Sequence, residues 1–285
     1  MNNEIEICSF GSTPELFVEY TKRSAPFTME NDHYHDYYEI YYMLSGQRIY
    51  FIKDRSYSIE QGDLVFIYKH ELHKTMQTGS GAHERLIFHF NDAKLQGLAG
   101  KHTELLSAPF KQQSHIIRLP RQEQLALEQL MRRLVSEIKE EPAGYELFPP
   151  YALTGLLLTA ARYIEQHDPA PIQHATPMHA KISEVIRHIN AHFAEPLRLG
   201  GLAEHFFISP YYLSRMFKDV TGFTFSDYVI LTRIKEAQRL LRESDSSITE
   251  ISAAVGFDNF SHFGKTFKKI TRDSPRGYRK QYKGI

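Results

Sequence analysis

The last third of the chain is one pattern written twice, and this repetition limits the possible fold more than any other feature. The stretch 199–218 is answered by 248–268: Leu202 matches Ile251, Leu213 matches Phe263, Arg215 matches Lys265, Phe217 matches Phe267 and Tyr228 matches Tyr278. From Leu213 onward the partners stand 50 positions apart, and the second copy carries one extra residue in its turn. Each copy reads as a short helix, a turn and a second helix with an apolar stripe. The stripe is Leu213, Met216, Phe217 and Val220 in the first copy and Phe263, Phe267 and Ile270 in the second. Ser209 before Pro210 suits an N-cap followed by proline at the first helical position. Gly256 suits a turn that needs a positive φ. Short helix, tight turn, second helix is the helix-turn-helix, whose second helix can enter the major groove.

The segments 233–241, 248–257 and 263–275 together resemble the signature of the AraC/XylS transcription regulators. The resemblance covers about 100 residues in the right order. It implies two helix-turn-helix units joined by one long helix, here about 224–242, preceded by a helix from His179 to Phe193. The units are expected at about 199–221 and 248–271, inside a DNA-binding domain spanning 179–285.

Charge agrees with that placement. The chain as a whole carries no net charge, yet from residue 180 onward 17 Lys/Arg stand against 11 Asp/Glu, and the preceding part is correspondingly acidic. Cys8 is the single cysteine, which excludes a disulfide framework or a cysteine-based zinc site within one chain. The first residues lack the basic start and apolar core of a signal peptide, and no apolar run is long enough to span a membrane. A cytoplasmic protein without membrane partners is expected.

From Ile5 to Phe90 the pattern is β. Strands are expected at Ile40–Leu44, Gln47–Ile52 and Leu64–Tyr68, several of them apolar on both faces, separated by turn signals at Leu44-Ser-Gly46, Lys53-Asp54-Arg55 and Gln61-Gly-Asp63. Short strands at this spacing suggest a sandwich or small barrel. His33, His35, Glu39 and Gly46, followed by Gly62 and His73, resemble the two motifs of the cupin barrel. The segment 69–73 lacks the proline and glycine of metal-binding cupins, so neither a metal nor another cofactor is expected.

After Arg121 the period becomes helical, with Leu127, Leu130, Leu134, Val135 and Ile138 on one stripe. The segment 141–144 breaks it, and a second helix follows over about 146–166. The resemblance gives these helices the dimer contact of a homodimer; covering the barrel is the alternative reading. Three prolines in 167–178 make that stretch a tether. The expected fold class is therefore α+β in two domains. A cupin-like β-barrel with flanking helices (1–120, then 121–166) precedes an all-α domain of two helix-turn-helix units.

A recognition helix reads bases from its outward, N-terminal half. Those positions are Tyr211, Ser214 and Arg215 in the first unit and Phe260, Ser261, His262 and Lys265 in the second. Arg215 suits a bidentate pair with guanine. Phe260 suits either thymine methyls or a hydrophobic helix cap. Asn259, Lys218, Lys268, Lys269, Arg272, Arg276 and Arg279 are candidates for phosphate contacts, with an ordinary charged helix face as the alternative. A joining helix of about 19 residues would space the units roughly 28 Å apart, close to one DNA turn of about 34 Å.

In the barrel, His33, His35, Tyr37, Glu39, Tyr41, Arg48 and His73 are the candidate effector-binding residues. They suit a hydroxyl-rich molecule, and the family resemblance makes a carbohydrate the expected effector. The function expected is a transcription regulator, an activator of carbohydrate-metabolism genes. Its partners would be operator DNA, the effector, RNA polymerase and a second copy. The rival reading takes His33, His35, Glu39 and His73 as ligands of iron, manganese or nickel in a cupin oxygenase or isomerase with a DNA-binding appendage.

Overall fold

The computed structural model describes residues 5–25, 34–78, 81–167 and 177–283. It divides into two compact units, Met1–Ala175 and Thr176–Ile285, each taken here by itself.

The first unit is built on β1 (Ile5–Ser12), β2 (Leu16–Arg23), β3 (Tyr38–Ile52), β4 (Arg55–Glu60), β5 (Leu64–Ile67), β6 (His73–Gln77), β7 (His83–Phe90) and β8 (Ile116–Ile117). The strands run β1-β2-β7-β3-β5-β8, with β4 and β6 on the distal half of β3. The expectation of two strands separated by a turn at Leu44-Ser-Gly46 is corrected: β3 is a single strand of 15 residues. The glycine marks a bulge instead, a register shift between Met43 and Ser45 against β7. Gly46 has a φ of 90°, and a Cβ there would lie 2.5 Å from the Ala82 carbonyl oxygen. A bulge and a turn both need left-handed backbone, which is why the local signal misleads. The bend lets β3 pair with β5 through its first half and with β4 and β6 through its second.

Strand alternation gives the sheet two cores. Tyr38, Ile40, Tyr42 and Leu44 of β3 join Leu16, Val18, Tyr20, Leu86, Phe88 and Phe90 in one. Tyr41, Met43, Tyr50, Ile52, Val65, Ile67 and Ile87 form the other, lining the inside of the curved sheet. Strands buried on both sides read as apolar on both faces.

Between Phe90 and Arg121, where the sequence pattern assigns no element, stand α1 (Asp92–Ala99) and α2 (Thr103–Ser107). The Asn91 side chain caps α1 by accepting from the Lys94 amide at 2.8 Å. Then come α3 (Arg121–Glu140) and α4 (Phe148–Gln166), whose first turn contains Pro149 and Pro150. Glu146 and Leu147, expected in this helix, belong instead to a separate turn of 3-10 helix, Tyr145–Leu147. Leu127, Met131, Leu134, Leu153, Leu156 and Leu157 bury these two helices in the core they share with β2, β3 and β7. Met131 is fully buried, whereas Leu130 of the expected stripe lies only partly inside.

Of the tether, 168–176 lies outside the described residues; Pro177 and Met178 already belong to α5 (Pro177–His192). The second unit continues with α6 (Leu199–His205), α7 (Pro210–Thr221), α8 (Phe225–Glu243), α9 (Ile248–Ala254), α10 (Phe260–Thr271) and α11 (Pro275–Lys283). Residues matched in sequence make matching contacts. Phe217 meets Tyr228 edge-on at 5.5 Å and 77°, and Phe267 meets Tyr278 at 5.6 Å and 79°. Thr221 and Thr271 each return a hydroxyl to the carbonyl of the phenylalanine four residues earlier, at 2.6 and 2.9 Å. The long helix α8 belongs to both copies. Phe225 and Tyr228 pack edge-on against Phe217, while Ile234, Ala237 and Leu241 enter the core with Ile251, Val255 and Phe263.

Candidate functional site: two reading helices and a polar lumen

In α7, Ser209 accepts from the Tyr212 amide and Pro210 occupies the first turn. Leu213, Phe217 and Val220 point into the core, so Tyr211, Ser214 and Arg215 stand outward, with Tyr211 78% exposed. Among the described residues Arg215 approaches Asp219, at 3.7 Å, and both side chains remain exposed. In α10, Phe263 and Phe267 point inward while Phe260, Ser261, His262 and Lys265 are exposed. Phe260 is half exposed, with its ring 6.3 Å from that of Phe263, so it caps the small core and faces solvent at once.

Among the cationic residues, Lys218, Lys268, Lys269, Arg272 and Arg276 are exposed. Two of the phosphate candidates have structural tasks. The Asn259 carboxamide oxygen accepts from the His262 amide at 2.9 Å, starting α10. Arg279 donates to the Ser246 carbonyl at 2.6 Å, tying α11 to the segment before α9.

Inside the first unit, the lumen-facing side chains of β3 converge on Glu39, which is fully enclosed. Its Oε1 accepts from the Tyr50 hydroxyl at 2.7 Å. Its Oε2 faces three imidazoles, with Nε2 of His35 at 3.0 Å, of His89 at 3.1 Å and of His73 at 3.6 Å. Two of these rings are oriented through their other nitrogen. His35 Nδ1 lies 2.9 Å from the Tyr37 carbonyl and His73 Nδ1 lies 2.7 Å from the Glu71 carbonyl. These carbonyl contacts fix both rings so that Nε2 faces the carboxylate. Tyr37 stacks flat on His35, with ring centroids 3.9 Å apart.

Burial opposes the charge on Glu39, but the charge of His73 and the hydrogen bonds with His35 and His89 outweigh it and hold the carboxyl well below its usual range. Burial also opposes the charge on His73, yet the neighbouring carboxylate wins and raises its pKa. For His35 burial wins over the Glu39 hydrogen bond, and its pKa falls. Glu39 and His73 thus favour each other's charged forms, while burial disfavours the charged form of His35.

The structure brings together His35, Tyr37, Glu39 and His73 of the expected effector residues. His33 lies outside the described residues. Tyr41 and Arg48 sit deeper. The Tyr41 hydroxyl meets Met43 Sδ at 3.6 Å, and Arg48 is buried among Tyr41, Tyr50, Arg85 and Arg23. Sequence reading missed His89, Tyr50 and Arg85. The signal for two of them was the alternation of β7, which puts His83, Arg85, Ile87 and His89 on the face opposite Leu86 and Phe88.

The ligand atoms of His35, Glu39 and His89 lie within 4.8 Å of one another. Imidazole and carboxylate donors with oriented rings fit a divalent transition metal, and these three would hold it, with His73 adjoining. The same donors equally fit hydroxyl groups, because each is a directed hydrogen-bond donor or acceptor. At the end of the sheet beside the bulge, a cavity of about 740 Å³ is lined by Ile5, Lys22, Arg23, Ser45, His83 and Glu84, among others.

Comparison with known proteins bears on both regions. Residues 202–281 match the model of a helix-turn-helix domain, and residues 20–148 match that of the AraC-like ligand binding domain. The HTH-type transcriptional activator RhaS of Salmonella schwarzengrund is 30% identical over 248 residues, which are 87% of each chain. The protein of the same name from Citrobacter koseri is 29% identical over 248 residues, with the same coverage. The C-terminal domain of AraT, a response regulator from Geobacillus stearothermophilus, shares 33% identity, covering 38% of this chain and 88% of that one, with a TM-score of 0.36. Among the described residues, no helix is long and apolar enough to cross a membrane.

Proposed function

The chain belongs to the AraC/XylS family of transcription regulators, and from that premise we propose that it is a carbohydrate-responsive activator working as a homodimer in the cytoplasm. That it binds DNA through its helix-turn-helix domain and a small molecule through its other domain follows from family membership, and its relatives are regulators rather than enzymes. The finer reading gives the lumen to the effector and the outward faces of α7 and α10 to the operator.

The observation that carries the finer reading is the polarity of the lumen. A barrel kept only for packing or dimerisation would fill its interior with aliphatic side chains, because each buried polar group must find a partner. Here Glu39, Tyr50, His35, His73 and His89 form a directed set on one inner face. Arg215 and Lys265 read bases in this proposal, while Lys218, Lys268, Lys269, Arg272 and Arg276 supply the salt-dependent phosphate term. The effector and the operator must then bind one arrangement of the protein together more tightly than separately, which RNA polymerase reads as activation.

Fluorescence anisotropy on operator DNA, run alongside a promoter–reporter assay, tests this. One sugar is expected to change operator affinity at least fivefold and to raise transcription, and His89→Ala is expected to remove both responses while leaving sugar-free DNA binding intact. Operator binding and transcription that ignore every sugar would overturn it.

A further inference from the structure

What the segment 69–73 lacks bears only on His73, and the fold supplies another histidine. β7 pairs with β3 in a register that sets His89 directly opposite Glu39, and His35 stands four residues before that glutamate. Two imidazoles and one carboxylate therefore meet from two paired strands and the approach to one of them.

Their spacing suits an ion better than a hydroxyl group. Glu39 Oε2 lies 3.0 Å from His35 Nε2 and 3.1 Å from His89 Nε2, and the ligand atoms of all three residues lie within 4.8 Å of one another. With bonds of about 2.1 Å, donors at right angles around one ion stand about 3.0 Å apart, and donors at the tetrahedral angle about 3.4 Å. A hydroxyl oxygen hydrogen-bonded to two of these atoms would hold them about 4.5 Å apart. The ion fits with small shifts of side chains, whereas the hydroxyl must first prise the cluster open.

The contacts of His35 point the same way. Its Nδ1 faces the Tyr37 carbonyl at 2.9 Å while its Nε2 faces the Glu39 carboxylate. Both neighbours are acceptors, and an imidazole with a single N–H can serve only one of them. A cation between Nε2 and Oε2 meets two lone pairs at once and leaves the N–H for the carbonyl. The donors are also held in place from behind. The Tyr50 hydroxyl donates to the other Glu39 oxygen at 2.7 Å, Tyr37 stacks on His35 at 3.9 Å, and Phe17 stacks on His89 at 5.7 Å.

We propose that His35, Glu39 and His89 bind a divalent first-row transition metal, with His73, 3.6 Å from the same carboxylate oxygen, beside the site rather than in it. Two histidines and one carboxylate leave coordination positions for water or for a hydroxyl-bearing ligand. The metal goes beyond the carbohydrate reading, and either can fail without the other.

The test uses the untagged full-length chain, stripped with a chelator and titrated with Co(II), Mn(II) and Zn(II). Calorimetry gives affinity, mass spectrometry gives the metal retained after dialysis, and visible absorption reports the Co(II) ligands. About one ion per chain is expected to survive dialysis. His35→Ala and His89→Ala should each weaken binding at least a hundredfold, and His73→Ala less than tenfold. Glu39→Gln, which keeps the oxygen that Tyr50 bonds, should weaken it as strongly as the histidine variants. His89→Asp should restore part of the affinity lost in His89→Ala, which separates a lost ligand from a lost fold. Absence of a stoichiometric ion would overturn the proposal. So would an ion indifferent to His35→Ala and His89→Ala, which would place it on other histidines, such as the His188–His192 pair of α5. A metal bound as described, with no response to any sugar, would uphold the site and remove the carbohydrate reading; a sugar response without a metal would do the reverse.

Discussion

The two helix-turn-helix copies need left-handed backbone at the same two places, and they place glycine differently. In the second copy the turn after α9 is made by Gly256 at φ 87°, and α10 ends on Arg272 at φ 66°. In the first the turn after α6 is made by Phe207 at φ 55°, and α7 ends on Gly222 at φ 78°. The hydrogen bonds around the turns coincide. Phe207 donates to the Glu204 carbonyl at 3.1 Å and Gly256 to the Ala253 carbonyl at 3.0 Å; Ile208 and Phe257 donate to the carbonyls five residues back at 2.9 and 3.0 Å. The conformation therefore belongs to the motif, and glycine is required only where space forbids a side chain. A Cβ on Gly256 would lie 2.6 Å from the Ala194 carbonyl oxygen. Phe207 meets no such wall and is 96% exposed. The second copy is also better started, since Ser247 and Glu250 form a complete capping box on α9 whereas Arg198 gives α6 no side-chain cap.

Five substitutions probe this asymmetry. Gly256→Ala combines left-handed strain with a clash against backbone, so it should cost about 3 kcal/mol in chemical denaturation; a loss below about 1 kcal/mol would mean the turn is not the rigid point argued here. Next is the asymmetry between the reading positions. Arg215→Ala should lose about 2 kcal/mol of discrimination between the operator and a single-base variant in anisotropy titrations. Lys265→Ala should lose less discrimination, about 1 kcal/mol, because a point charge lacks the paired fork of a guanidinium. Ser247→Ala should remove about 1 kcal/mol by opening the capping box. Phe207→Gly should instead stabilise the domain slightly, by about 0.5 kcal/mol, because relief of left-handed strain slightly exceeds the added freedom of the unfolded chain. A drop in stability would show that the exposed ring packs on something.

The same contrast explains what the sequence could tell. Helix starts and stripes are local: Ser209-Pro210, and the spacing of Leu213, Phe217 and Val220, name α7 from a dozen residues. The doubled pattern then checks each assignment against its partner, as the matching edge-on Phe–Tyr contacts attest. The lumen is different. Its cluster gathers His35, Glu39, His73 and His89 from three strands and the approach to one of them, and only the stretch up to Glu39 is contiguous enough to form a motif. His89 enters because β7 pairs with β3 in a register that puts it opposite Glu39, a fact of pairing that no short window holds. Gly46 was legible as a residue needing left-handed backbone, but whether that backbone closes a turn or bends a continuous strand depends on β4, β6 and β7.

The sharing of α8 between the two copies has a geometric consequence. Its first turns are clamped by Phe217 and its later ones by Phe263 and Val255, and Arg233 pins its middle to the Phe193 and Glu195 carbonyls at 2.7 and 2.8 Å. Adding one residue between those clamps would swing one reading helix about the axis by about 100° while lengthening the span by only about 1.5 Å. Angle is thus far more sensitive than distance to the number of residues in this helix. If α7 and α10 both read one operator, as proposed, the pitch of the DNA is in effect counted in the residues of α8, and an operator whose two segments are shifted by a base pair could not be followed by any small change in its length.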